Sequence, residues 1–543
     1  MTHDHDLVLR PTAAQTAAAL APPAGRTGAD LVVETLRGLG VTTVFGAAGA
    51  AGACSPLDAA LGRSGLSEWT RFATLAGAGH AADGFGRLTG EVAALLAPAG
   101  PGRAVLREAL AASAPLLVLA TGPATEPDPG PAARPAPLPP GGAAEDTTGD
   151  MPQDTTGDMS PDTTRDMPGN TPPYLKAVFA ARTPSQIPTA VASAWEAALT
   201  APHGPVLVEL DPAALAAVTL LPEVNAPDVL PHELPPRPEL TALAAHWLET
   251  AARPLIVAGG GVTRADAAGK VKALAERLHA TVATTPGGLG SCPGAHPVTP
   301  ALLASADVLL LVGTTLDGVP FTPPARLIQI DADPSRLELH HAPALGIHAD
   351  ARLALAALLE TVDVREPLSG EAAEEAVAGA AAGGVAGSGD PFVAAVGRAL
   401  GARTPSFWDR PPAGLDVRRP RPCHAPQAPG TTGYALPAAL GAATADPGSP
   451  VLAVSDLAVS DLGGSDAGPV AAVLPELATA AACGLPLVWL IRGDTAGGGA
   501  DEAVDAAAEA AGVVLVRSEV GSLEGELGKA FASGGPVVVV VRG

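Results

Sequence analysis

The sequence predicts an α/β protein built from three doubly wound parallel-sheet domains. Three observations carry that expectation. Short apolar runs of strand length recur along the chain, they alternate with segments of helical period, and 543 residues suffice for about three domains of ordinary size. Strands that alternate with helices make parallel sheets, because each crossover helix lies on a sheet face.

Residues 1–26, which include "MTHDHDLVLRPTAAQTAAALAPPAG", lack a basic stretch followed by a long apolar run, so they read as a flexible tail and not a signal peptide. The first domain is expected over 27–215. "GADLVVETLRGLGVTTVFG" reads as a helix closed by Gly40 and a strand from Val41 to Phe45. "EVAALLAPAG" and "APLLVLATG" read as buried strands with a helix between them, and "GPVLVEL" as another. Residues 122–173 interrupt this unit. They are rich in Pro, Gly and Asp and hold three eight-residue repeats starting at Asp146, Asp154 and Asp162, so a disordered insertion is expected. The spacing of the repeated Asp matches no calcium-binding loop.

A second domain is expected over 238–363. It opens with "RPLIVAGGGVTRADAAGKVKALAERLHATVATT", read as strand, Gly-rich turn, helix and strand. An Ala- and Gly-rich linker is expected over 371–390, and a third domain over 391–543 with "GTTGYALPAALGAA", "SPVLAVSDL", "LPLVWLIRGD" and "GPVVVVVRG".

Composition excludes several classes. A net charge of −24 argues against a nucleic-acid partner, which needs clustered Lys and Arg. It also means that a phosphate ligand needs a metal ion or a helix N-terminus beside it. No apolar run of membrane-spanning length is free of Gly, Pro and charge. Cys54, Cys292, Cys423 and Cys483 form no CxxC pair, so reduced thiols and a cytoplasmic location are expected.

The pieces "GADLVVETLRGLGVTTVFG", "ADGFGRLTG", "GPVLVEL", "RPLIVAGGGV", "IQIDADP", "GYALPAALGAA" and "PELATAAACGLPL", in this order, resemble the thiamine diphosphate (ThDP)-dependent enzymes of the acetolactate synthase type. The resemblance implies pyrimidine-binding, central and diphosphate-binding domains. It implies ThDP and Mg²⁺ as cofactors, decarboxylation or carboligation of a 2-oxo acid such as pyruvate, and a homodimer or homotetramer with the cofactor between subunits. It further implies cofactor contacts at Gly46, Gly430, Thr431, Thr432, Gly433, Ser455 and Gly493.

The chain departs from that pattern at four places serving one site. In the family a Glu precedes the "ADGFGRLTG" helix and drives proton exchange at the cofactor; here its position falls on Leu75, in "TLAGAGHAADGFGRLTG". His80 is the nearest ionisable substitute, and its place in a helix favours a packing role. The metal motif, Gly-Asp-Gly followed by Asn-Asn, is absent. Asp456, Asp461 and Asp466 are candidates for the metal Asp and Asp494 for the second ligand, the 28 residues from Asp466 to Asp494 (494 − 466) fitting the family spacing. A solvated acidic loop explains the same residues equally well. Thr432 replaces the bulky side chain that bends the cofactor, and "TAGGGA" stands where the family has an aromatic-rich lid. FAD is not expected, because tight strand–helix packing explains Gly259-Gly260-Gly261 as well as a nucleotide does. Two functions follow: the family's enzyme activity, or a catalytically silent relative serving as scaffold or regulatory partner, for instance of an active paralogue.

Overall fold

The structure is a computed structural model that describes residues 26–47, 56–64, 66, 68–97, 102–121, 172–221, 234–316, 319–324, 326–337, 339–364, 390–401, 404–412, 415, 423–428, 430–456, 469–493 and 499–542. The repeat insertion and the Ala/Gly-rich linker fall almost wholly outside these residues.

Three six-stranded sheets follow one another along the chain. The first comprises β1 (Thr43–Ala47), β2 (Glu68–Phe72), β3 (Ala93–Leu96), β4 (Leu116–Ala120), β5 (Ala177–Ala181) and β6 (Pro205–Leu210). The second comprises β7 (Pro254–Ala258), β8 (Thr281–Thr284), β9 (His296–Pro297), β10 (Val308–Val312), β11 (Arg326–Asp331) and β12 (Leu345–His348). The third comprises β13 (Ser406–Trp408), β14 (Cys423–His424), β15 (Val451–Asp456), β16 (Leu487–Gly493), β17 (Val514–Glu519) and β18 (Val537–Arg542). Every pairing within them is parallel. The first sheet runs β2-β1-β3-β4-β6-β5 and the third β14-β13-β15-β16-β18-β17, so both share the order 2-1-3-4-6-5. The middle sheet runs β9-β8-β7-β10-β11-β12, the doubly wound order 3-2-1-4-5-6.

Each sheet buries both faces. In the first, Val44, Leu96, Leu117 and Val206 pack on one side, and Phe45, Leu95, Leu116 and Val118 on the other. This accounts for strands that read as continuous apolar runs. In the third, Phe407, Ala453, Trp489 and Val538 belong to the same cluster as Phe45 and Leu95, so one core fills the joint between the first and third sheets.

Two local expectations need correction. The first strand begins at Thr43, two residues after Val41, because Val41 N–H still donates to Leu36 O (2.9 Å) and closes the Gly28–Gly38 helix. The single helix expected after the Gly-rich turn is two, Gly260–Arg264 and Ala268–Leu278, parted where Asp266 takes a left-handed φ of 47°.

Helix Leu75–Thr89 of the first unit and helix Ala435–Ala445 of the third cross inside the joint. A Cβ on Gly84 would lie 2.2 Å from Ala438 O, and one on Gly441 1.9 Å from Ala81 O, so the two backbones touch where those side chains are missing. Helix Ala435–Ala445 is buried all round, as an apolar helix between two sheets must be.

Candidate functional site

In open parallel sheets, ligands bind beyond the carboxyl ends of the strands, where the strand order reverses. The third sheet reverses between β13 and β15. Asp409 follows β13, and Ser455 and Asp456 end β15. Asp409 accepts hydrogen bonds from Tyr434 N–H and Ala435 N–H, both 2.8 Å, and so caps helix Ala435–Ala445. Burial raises its pKa, while the Ser455 hydroxyl and these two N–H groups hold it back. Ser455 is buried and also accepts from Trp489 Nε1 (3.1 Å), so its hydroxyl serves this internal network.

Turn 430–433 lies just before that helix. Gly430 and Gly433 have φ of 82° and 62°, and a Cβ on Gly430 would meet nothing within 4 Å. Thr432 is exposed and Thr431 is half-buried. Open space therefore stands beside Gly430, in the turn where the resemblance implies cofactor contacts.

The metal end is different. Burial raises the pKa of Asp456, opposed by the charges of Arg492 and Arg410 and reinforced by Asp390. Arg492 stands in register with Asp456 across β15 and β16, and its Nη1 donates to Asp390 (2.7 Å). Gly493 is the next residue of β16. Asp461, Asp466 and Asp494 lie outside the described residues. Among the described residues no group of three or more His, Cys, Asp or Glu is placed to hold a metal ion. Of the four candidate ligands, only Asp456 is among the described residues.

Leu75 is the first residue of its helix, half-buried, and packs against the core of the joint. Thr74 caps that helix, accepting from Gly77 N–H (2.9 Å). A carboxylate does lie close by, and the sequence did not place it there. Glu476, fully buried on helix Glu476–Cys483 of the third unit, accepts from Ala73 N–H (3.0 Å), Thr74 N–H (3.0 Å), Thr74 Oγ1 (2.8 Å) and Thr479 Oγ1 (2.9 Å). Four donors saturate it, and it serves as a second cap. Gly46, penultimate in β1, is buried.

His80 lies deeper. It is buried edge-on to Tyr434 (ring centroids 5.5 Å), its Nδ1 has no hydrogen-bond partner, and burial lowers its pKa to about 4. It packs in the joint. Around it lies an ionic cluster that sequence reasoning missed. Arg87 Nε stands 2.8 Å from Asp83 Oδ2, its Nη1 donates to Ala425 O (2.9 Å), its Nη2 pairs with Glu108, and the guanidinium lies 5.0 Å from the Tyr434 ring centroid. Glu108, on helix Arg103–Ala111, accepts from Gln427 N–H (2.7 Å), Ala428 N–H (2.9 Å) and Thr431 Oγ1 (2.8 Å). Only Asp83 and Arg87 had a sequence signal, their place in "ADGFGRLTG".

The middle sheet reverses between β7 and β10. A small cavity of about 80 Å³ opens there, lined among others by Arg264, Asp331, Arg336 and His203. Arg264 Nη1 donates to Ala112 O of the first unit (2.7 Å). A Cβ on Gly261 would lie 2.6 Å from Gly313 Cα, so close backbone packing by itself requires a glycine there.

Residues 26–132 match the family model described as the thiamine pyrophosphate enzyme N-terminal TPP binding domain, and residues 241–358 the model of the thiamine pyrophosphate enzyme central domain. The acetolactate synthase large subunit of Corynebacterium glutamicum is 28% identical over 366 residues, which cover 63% of this chain and 53% of that protein. The acetolactate synthase of Mycobacterium bovis is 26% identical over 482 residues, 79% of this chain and 71% of that protein. The chain thus spans about half the length of the first of these relatives and about seven-tenths of the second. Among solved structures, benzoylformate decarboxylase of Polynucleobacter necessarius superposes with a TM-score of 0.69 at 17% identity, covering 95% of this chain and 98% of that one, a likeness of fold. No helix among the described residues is long and apolar enough to cross a membrane.

Proposed function

We propose, from the matches of residues 26–132 and 241–358 to thiamine pyrophosphate enzyme domains and from the similarity to acetolactate synthases, that this chain binds ThDP and decarboxylates or ligates a 2-oxo acid such as pyruvate. The observation that carries the reading is the open turn 430–433 on the third sheet, within a chain whose first and middle parts match those domains. The protein acts in the cytoplasm as a homodimer or homotetramer.

When bound, ThDP supplies the electron sink for cleavage beside a carbonyl. The chain supplies the rest. Turn 430–433 would seat the ring, with Thr431 anchored by Glu108 and Thr432 exposed. Ser455 and Asp409 hold the start of the next helix in place beneath. Leu75 carries no exchangeable proton and Glu476 is engaged by four donors, so neither would supply the carboxylic acid that proton exchange at a bound ring calls for. General acid–base help contributes about 10²–10⁴-fold, and its loss would slow activation by a factor in that range. The missing acid at Leu75 favours a second reading, a silent relative that pairs with an active paralogue.

Calorimetry of the purified chain with ThDP, with and without Mg²⁺, separates the two. Micromolar binding followed by turnover of a 2-oxo acid supports the enzyme. Binding without turnover of any 2-oxo acid supports the silent relative, and no heat at millimolar ThDP sinks the ThDP reading altogether.

A further inference from the structure

We propose that Glu108 is a positioning residue: from the first unit it fixes the shape of the turn that seats the cofactor in the third. The inference rests on the ThDP reading, because it is that reading which gives the turn its role. The ties of this segment to itself are short-range: β14 before it is two residues long, and Thr431 reaches Ala428 O through its amide (3.4 Å) and its hydroxyl (3.2 Å). The first unit fastens the segment instead. Glu108 accepts from the amides of Gln427 and Ala428 and from the Thr431 hydroxyl at 2.7, 2.9 and 2.8 Å. Arg87, paired with Glu108, holds Ala425 O at 2.9 Å. Asp409 then fixes the far end through Tyr434 and Ala435. Turn 430–433 therefore hangs between two carboxylates, one of them from the other end of the chain.

The chemistry of the pair makes this hold selective. Glu108 is fully buried, and burial alone pushes its carboxyl up. Arg87 and the amides of Gln427 and Ala428 outweigh that and hold it below the ordinary carboxylate range. The group is thus an ionised acceptor whose hydrogen-bond partners, among the described residues, are all donors. An amide of the same shape turns an NH₂ toward one of those donors and loses the charge that Arg87 requires.

The test uses the full chain as wild type, Glu108→Gln and Glu108→Asp, with Glu524→Gln as a control at an exposed ion pair (Glu524 to Arg398, 2.9 Å). ThDP affinity is read by calorimetry, and amide hydrogen exchange over 425–433 by mass spectrometry. Glu108→Gln is expected to weaken ThDP at least tenfold and to speed exchange over 425–433 while the other helices stay protected. Glu108→Asp, which keeps the charge, should recover most of the affinity and stands in should Glu108→Gln fail to fold. Wild-type affinity and exchange in Glu108→Gln, or in Glu108→Asp an exchange increase spread over the whole chain, would overturn the inference while leaving the ThDP reading intact. A wild type that binds no ThDP sinks both.

Discussion

At the scale of single residues, the site is defined by a substitution and by what surrounds it. Leu75 opens its helix and packs on the core of the joint, with Thr74 and Glu476 engaged by the helix start. Restoring the acid is therefore a local change at a half-buried helix N-terminus, where a carboxylate is favoured by the helix dipole and disfavoured by Glu476 nearby. Leu75→Glu is expected to raise the turnover of a 2-oxo acid roughly 10²-fold with bound ThDP, the lower end of what general acid–base help contributes. Steady-state kinetics with saturating ThDP check it; turnover unchanged in a variant that binds ThDP as the wild type does would mean that the position no longer faces a cofactor. The place of Leu75 at the start of its helix was legible in the sequence because the motif after it keeps its order and spacing. Glu108, Asp409 and Glu476 were not legible as site residues. Glu108 and Glu476 act on segments 319 and 402 positions away, and Asp409 on one 25 away, and pattern reading sees only neighbours along the chain.

At the scale of elements, helical period and apolar runs were enough to indicate all three parallel sheets, since both signals are local. The crossing of helices Leu75–Thr89 and Ala435–Ala445 was not, because Gly84 and Gly441 look like any glycine in a helix until the partner backbone is placed against them. Each leaves space that a backbone carbonyl occupies, and a carbonyl cannot move aside as a flexible side chain can. Gly441→Ala is expected to force the helices apart and cost about 1–3 kcal/mol or more, with helix propensity alone pulling about 1 kcal/mol the other way. Gly525→Ala, in a helix where a Cβ meets nothing within 4 Å, should be neutral or stabilising. Urea unfolding of both variants decides it. Equal stability of the two would show that the crossing is looser than the distances imply.

At the scale of the whole molecule, the first and third units share one core, so the groups buried there couple the folding of both to pH. His424 is the cleanest probe. It is buried, stacked on Phe407 (5.0 Å), and its Nε2 has no hydrogen-bond partner among the described residues. Burial, with the charge of Arg87 added, lowers its pKa from 6.5 to about 3. The folded state therefore keeps it neutral while the unfolded state protonates it. Its contribution is fully present above pH 6.5 and is lost as the pH falls from there toward 3. Asp83 runs the other way: burial raises its pKa from 3.8 to about 6, so its contribution is lost as the pH rises through 6 and recovered on acidification. Wild-type stability alone sums these opposed terms, and the difference between wild type and His424→Gln isolates one. Between pH 7 and pH 4.5 the wild type is expected to lose about 2–3 kcal/mol relative to His424→Gln, two pH units below an unfolded pKa of 6.5 at about 1.4 kcal/mol each. Urea midpoints for the two proteins at pH 7, 6, 5 and 4.5 measure it. Parallel pH profiles would mean that water reaches the imidazole and that the joint is more open than a shared core allows; converging profiles would place the acid sensitivity of both units in the interface that also holds turn 430–433.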